Sequence, residues 1–242
     1  YKHFQSAVKS CSQGGVRGGA ATLYYPLWHY EVEDILVLKN NKGTEDNRIR
    51  HLDYGVQFNK LMYERLLSGG NITLFSPSDV PDLYEAFYKS TEDFKELYEK
   101  YERATSIPKK KISARELFTS LLKERAETGR IYIMNIDHCN THSSFVDKVN
   151  MSNLCQEITL PTDPISHIDG EGEIALCILS AINVGIIKNY DELGSLCDLA
   201  VRGLEELIDY QQYPVVAAER STLARRSLGI GYIGLAHFLA KN

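Results

Sequence analysis

The sequence predicts an α/β protein with parallel strands, part of an α/β barrel or of a doubly wound sheet. Three observations carry this expectation. Short apolar runs rich in β-branched and aromatic residues alternate with amphipathic helical segments along the chain. Strands separated by helices pair in parallel, because a parallel pair needs the long crossover that a helix supplies. A chain of 242 residues with 43% apolar and 24% charged content also has enough material for a sizeable core.

In chain order, an amphipathic helix opens the sequence, with Phe4, Val8 and the stem of Lys9 on one side. Residues 21–29 read as a strand and residues 31–38 as a short helix. A further strand over 50–54 leads into a helix around Phe58, Leu61, Met62 and Leu66. Residues 71–75 form a short apolar strand that Ser76-Pro77 ends. Leu83, Phe87, Phe94, Leu97, Tyr98 and Tyr101 then follow helical spacing. A second helix begins at the capping pair Ser113 and Glu116, and Gly129 stops it. Lys109, Lys110 and Lys111 between the two read as a solvated turn. Residues 130–136 and 173–184 read as buried strands. Asn189 and Glu192 cap a long helix whose Leu193, Cys197, Ala200, Leu204 and Leu207 form one apolar stripe, which places Cys197 in the core.

The most chemical stretch is Ser152-Asn153-Leu154-Cys155-Gln156-Glu157-Ile158-Thr159-Leu160. Side chains of an extended chain alternate faces, so Asn153, Cys155 and Glu157 would emerge together. One face would then carry an orienting amide, a sulfur able to lose a proton or a hydrogen atom, and a general base. A strand edge holding a buried structural cysteine is the competing reading. Cys177 lies in a separate strand-like segment, and adjacent strands could bring the two thiols together.

A second feature is Ser12-Gln13-Gly14-Gly15-Val16-Arg17-Gly18-Gly19-Ala20, four glycines in six residues around an arginine. Such a backbone approaches a ligand closely, and a guanidinium is a planar fork suited to a base edge or a phosphate. Neither the P-loop nor the dinucleotide spacing is present, and a flexible surface loop has the same composition. His138, Cys139 and His142 lie close together without a second ligand pair at zinc-like spacing, so no metal site is expected. His29, His51 and His237 stand singly beside aromatics and read as packed or capping residues.

A formal net charge of −5 offers no basic footprint for nucleic acid. No apolar run approaches the roughly 20 residues that span a bilayer, and the first residues lack a signal-peptide pattern. Five cysteines in a chain this long argue against a secreted disulfide scaffold and for a reducing, cytoplasmic compartment. The ends, without an initiating Met and closing on the apolar run 230–239, read as cut from a larger assembly.

The segments Lys9-Ser10-Cys11-Ser12-Gln13-Gly14-Gly15-Val16-Arg17-Gly18-Gly19-Ala20-Ala21-Thr22, Ile72-Thr73-Leu74-Phe75-Ser76-Pro77-Ser78-Asp79-Val80-Pro81, Gly129-Arg130-Ile131-Tyr132, Ser152-Asn153-Leu154-Cys155 and Glu173-Ile174-Ala175-Leu176-Cys177 resemble, in order and over essentially the whole chain, the large (alpha) subunit of class I ribonucleotide reductase. The resemblance implies a ten-stranded α/β barrel with Cys155 at the tip of an inward finger loop. It implies that Cys155 becomes the thiyl radical that removes the 3′ hydrogen of a ribonucleoside diphosphate. Glu157 would take the 3′-hydroxyl proton, Asn153 would hold the substrate hydroxyls, and Cys177 would be one of two reducing thiols that end as a disulfide. The segment from Ser12 to Ala20 would be the specificity loop, with Gln13 and Arg17 reading the base in response to a deoxynucleotide effector at a dimer interface.

By the same resemblance the other redox thiol, the ATP cone and the first barrel strands lie upstream of Tyr1. The substrate-phosphate loop, the radical-passing tyrosine pair and the terminal reducing thiols lie downstream. The implied partners are the remaining segments of the large subunit, a second large subunit, and a small subunit that carries the metal-radical cofactor. Thioredoxin or glutaredoxin would supply electrons, and deoxynucleotides and ATP would be effectors of the full subunit. None of these cofactors would reside in this chain. The expectation is therefore a catalytic fragment that is inactive alone. Two alternatives stand beside it: a non-catalytic assembly or regulatory piece, and a stand-alone thiol enzyme, for which no histidine accompanies Cys155.

Overall fold

A computed structural model describes residues 1–168 and 170–241, in two compact units, Tyr1–Leu160 and Pro161–Asn242. In the first unit, α1 (Lys2–Ser10) leads into a hairpin of β1 (Ser12–Gln13) and β2 (Arg17–Gly18). Then follow β3 (Thr22–Pro26), α2 (Val32–Leu36), β4 (Asp53–Phe58), α3 (Lys60–Leu67), β5 (Asn71–Leu74), α4 (Pro81–Lys89), α5 (Thr91–Arg103), β6 (Lys110–Ser113), α6 (Ala114–Thr128), β7 (Ile131–Asn135) and α7 (Ile136–Thr141).

The centre of this unit is a parallel sheet in the order β3-β4-β7. Tyr24 pairs with Gly55 and Gly55 with Tyr132, so these three residues form one row across the sheet. Alternation then divides the strands. Tyr25, Tyr54, Val56, Phe58 and Ile131 turn into the core, where Phe58 meets Tyr63 of α3 and Phe118 of α6 at ring distances of 5.4 and 5.2 Å. Thr22, Tyr24, Asp53, Gly55, Gln57, Tyr132 and Met134 occupy the opposite face, which is far more polar. A Cβ at Gly55 would lie 2.3 Å from the Tyr24 ring, so only glycine lets that ring lie across the middle strand.

Trp28, fully buried just after β3, sits among Tyr84, Phe87 and Phe94 with ring distances of 5.7 to 6.3 Å. Burying a side chain of this size contributes on the order of 2–3 kcal/mol relative to exposure. The helical pattern over 83–101 is two helices, not one. At Ser90 the backbone is extended, and its hydroxyl accepts the Asp93 N–H at 3.2 Å, so the residue that breaks the pattern also caps α5. At α6 the expected and observed ends agree: Ser113 accepts the Glu116 N–H at 3.4 Å, and Gly129 closes the helix at φ +73°. The helix expected over 31–38 is shorter, Val32–Leu36, and the one expected around Phe58 begins only at Lys60, with Phe58 the last residue of β4.

Further expectations need correction in this unit. The strand predicted over 50–54 is β4, which begins at Asp53. The lysines are no solvated turn: Lys109 donates to the carbonyls of Tyr101, Glu102 and Ala104 at the end of α5, while Lys110 pairs with Glu33 and starts β6. A cation there satisfies orphan carbonyls and complements the helix dipole. Finally, β5 and β6 pair antiparallel, so the protein is not uniformly parallel.

In the second unit, β8 (Ile178–Asn183) pairs in parallel with β9 (Leu228–Ile233). The helices are α8 (Tyr190–Tyr210), α9 (Val216–Arg225) and α10 (Leu235–Lys241). Asn189 accepts the Glu192 N–H at 2.8 Å, and the Glu192 carboxylate accepts the Lys188 N–H at 2.8 Å, the expected start of α8. The buried strand expected over 173–184 is shorter and half-exposed: β8 begins only at Ile178, and its side chains alternate between half-buried and exposed. Cys197 is exposed, contrary to the core position its spacing predicts, because within this unit α8 buries only Leu204 and Ile208.

Gly55→Ala is expected to destabilise the chain by about 1–3 kcal/mol through overpacking against Tyr24. Denaturant titration measures this, with Gly231→Ala as control, since the nearest atom to a Cβ there is 3.9 Å away.

Candidate functional site: the Cys155 turn and its seat on the sheet

The segment around Cys155 is a turn, not the strand its alternation predicts. The Asn153 side-chain oxygen accepts the Ile158 N–H at 3.1 Å, and the Asn153 N–H donates to the Ile158 carbonyl at 3.3 Å. The Ser152 hydroxyl also donates to the Ile158 carbonyl, at 2.5 Å. Short polar side chains that bond nearby backbone draw a segment away from a ladder. Between these closures the Gln156 N–H donates to the Asn153 carbonyl at 3.3 Å, and Gln156 takes φ +63°. A non-glycine residue there is uncommon and is held by its surroundings. Cys155 and Glu157 are both exposed on this turn, while Asn153 is half-buried and spends its side-chain oxygen on closing it.

The polar face of the sheet is the seat of this turn. Thr22 donates its hydroxyl to the Leu154 carbonyl at 2.6 Å, and Tyr24, two residues on, donates to the Asn153 carbonyl at 2.7 Å. From the other side, the Gln156 amide donates to the Ile133 carbonyl of β7 at 2.6 Å. Upstream, buried Gln57 donates to the Asn150 carbonyl at 2.6 Å and accepts from Tyr88 at 2.9 Å. Asn140 holds Val149 through both amide atoms, at 2.8 and 3.0 Å. None of these anchors figures in the reading of the sequence. For Thr22, Tyr24 and Gln57 the signal was present, in polar residues at every second position of β3 and β4.

Electrostatics tie the groups together. Burial pushes the Tyr24 phenol up to about 12, with smaller upward contributions from Tyr132, Glu157 and Cys155 and an opposing one from the Ser152 hydroxyl. Tyr132 is also raised, first by burial and then by Asp53, Cys155 and Glu157. A thiol, a carboxylate and two neutral phenols therefore share one neighbourhood. At its edge Asp53 pairs with Lys39 at 2.6 Å and with Arg130 at 3.5 Å, and Lys39 also donates to the carbonyls of Arg50 and Leu52. The arrangement can present sulfur to a ligand beside a proton acceptor.

The glycine-rich segment is a paired hairpin rather than a loose loop. Ser12 lies opposite Gly18 and Gln13 opposite Arg17, across a turn with Gly14 at φ +58° and Gly15 at φ +72°. Val16, Arg17 and Gln13 are exposed at its tip, and Ala20 lies two residues before Thr22 of the seat. Gly19 passes so near α1 that a Cβ would lie 2.2 Å from the Val8 carbonyl oxygen. Cys177 is exposed in the second unit, just before β8. On α7 the His138 and His142 rings stand 5.6 Å apart, and among the described residues no group of three or more His, Cys, Asp or Glu could hold a metal ion. His29 accepts the Glu31 N–H at 3.1 Å, a local cap, and burial lowers its pKa. No described helix is long and apolar enough to cross a membrane.

Because the folded chain holds the Tyr24 proton more tightly, this phenol favours folding below pH 10, and the contribution fades as pH rises from 10 towards 12. In an ultraviolet phenolate titration, Tyr24→Phe should remove a transition near pH 12 and leave the ordinary ones near 10; loss of an ordinary one instead would contradict the buried seat.

The ribonucleotide reductase barrel-domain family matches residues 1–242. The chain is 67% identical to the ribonucleoside-diphosphate reductase subunit alpha of Haemophilus influenzae and 63% to ribonucleoside-diphosphate reductase 1 subunit alpha of Escherichia coli, over 100% of this chain and 32% of each relative. The corresponding subunit of Chlamydia trachomatis is 35% identical over 95% of this chain and 22% of its own length. The chain thus spans about a third of the length of the first two relatives. With its whole length matched, it belongs to the ribonucleotide reductase barrel-domain family.

Proposed function

We propose that this chain supplies the radical cysteine of a ribonucleoside-diphosphate reductase large subunit and acts together with the rest of that subunit. The observation that carries the reading is the exposed Cys155 on a turn fixed to a sheet, with Glu157 two residues on. In the proposed reaction the Cys155 thiyl takes the 3′ hydrogen atom of a ribonucleoside diphosphate, forming S–H and a carbon radical. Glu157 accepts the 3′-hydroxyl proton, and one of two reducing thiols, Cys177 or a second thiol outside this chain, protonates the 2′ hydroxyl, which leaves as water. The thiol pair then gives a hydrogen atom to C2′ and one electron to the 3′-keto group, closing to a disulfide, while Glu157 returns its proton to the 3′ oxygen. The Cys155 S–H then returns a hydrogen atom to C3′. Asn153 steadies the substrate hydroxyls through its amide nitrogen, its oxygen being committed to the turn.

The metal-radical cofactor of a small subunit supplies the oxidising equivalent when that subunit is bound. The parallel strands, in this reading, belong to a ten-stranded barrel that the Cys155 turn enters as an inward finger. The Ser12–Ala20 hairpin offers Gln13 and Arg17 to the base, under the control of effector nucleotides at a large-subunit dimer. Thioredoxin or glutaredoxin renews the thiols, in the cytoplasm.

In an assembly reconstituted from this chain, the remaining large-subunit segments and the small subunit, Cys155→Ser is expected to abolish deoxynucleotide formation while effector binding persists. Unchanged output would instead identify a non-catalytic assembly piece.

A further inference from the structure

We propose that Thr22 and Tyr24 are positioning residues for Cys155, a two-hydroxyl clasp on which the placing of the sulfur depends. The inference rests on the function proposed above and adds to it a pair of residues that touch neither substrate nor sulfur. Thr22 and Tyr24 stand at alternate positions of β3, so both project from its polar face. Their hydroxyls reach successive carbonyls, Leu154 at 2.6 Å and Asn153 at 2.7 Å, the two peptide oxygens immediately before Cys155. Fixing both carbonyls fixes the peptide planes that set the direction of the Cys155 Cα–Cβ bond.

The turn needs such a restraint. Gln156 stands at φ +63°, a conformation that costs of order 1 kcal/mol or more and relaxes unless its neighbours are held. Its amide is tied to β7, so the clasp on β3 and this tie pin both sides of the cysteine. The Tyr24 hydroxyl can reach its carbonyl only because the ring lies over Gly55. Thr22 stands two residues beyond Ala20, the end of the glycine-rich segment.

The test uses Thr22→Val and Tyr24→Phe, each removing one hydroxyl with little change of shape, and Thr22→Ser, which restores it. In the reconstituted assembly, Thr22→Val and Tyr24→Phe are expected to lower kcat about 10–100-fold at nearly constant KM, the scale of a small misplacement of a reacting group. Thr22→Ser should recover most of the loss. In the 242-residue chain itself, iodoacetamide labelling of Cys155, followed by peptide mass spectrometry, should change at least threefold in the first two variants and not in Thr22→Ser, while labelling of Cys11 stays constant. Unaltered Cys155 labelling and unaltered kcat would overturn the clasp. An assembly in which Cys155→Ser remains active would overturn the proposed function instead, leaving the labelling result to judge the clasp alone. Should Thr22→Val melt far below the parent, Tyr24→Phe and amide exchange at Gln156 and Ile158 decide, since a real clasp predicts faster exchange at both.

Discussion

The first unit depends on one division of labour, in which three parallel strands give one face to an apolar core and the other to polar attachment. On the buried side the burial of Tyr54, Val56, Phe58 and Ile131 supplies cohesion. That frees the opposite positions from packing duty, and Thr22, Tyr24 and Gln57 spend their side chains on carbonyls of the 150–154 segment. A loop carries many backbone polar groups that must find partners. Here the sheet provides several of them, and the loop stays ordered without becoming a strand. The polar positions of the sheet thereby anchor the turn on which Cys155 and Glu157 are exposed. A single glycine in the middle strand permits it, by leaving room for a phenol ring to cross.

Much of this was legible in the sequence, for identifiable reasons. Helix ends were clear at Ser113 and Asn189, where a side chain caps the helix, and at Gly129, whose left-handed backbone closes one, because such signals are local. Among the parallel strands, β3 and β7 were clear, as short apolar runs bounded by helical segments. Family membership was legible from long ordered motifs, and the match over the whole chain agrees. What failed was the step from period-two pattern to extended structure around Cys155. Asn153 and Ser152 bond to Ile158, and that contact within the segment outweighs its strand propensity. Nothing in a period-two count registers a side chain that closes on its own backbone.

Two other misreadings share a cause. Ser90 interrupts a continuous apolar stripe, yet the stripe survives across two helices because both pack against the same aromatic cluster around Trp28 and Phe87. Lys109 looks like a surface charge, but its ammonium reaches the carbonyls of a helix end seven and eight residues back. Cys197 went wrong in the opposite direction. An apolar stripe states what a helix can bury, and α8 buries only the positions facing Leu204 and Ile208 within its own unit.

The slender interior of the second unit has a further consequence for how the chain comes apart. With Leu204, Ile208, Val184, Ile187 and a few small residues inside, the described residues beyond Leu160 have little apolar burial to set against the entropy of ordering them. The first unit holds a broad aromatic cluster around Trp28. Heating should therefore release the two portions at different temperatures, and a single melting midpoint would describe neither.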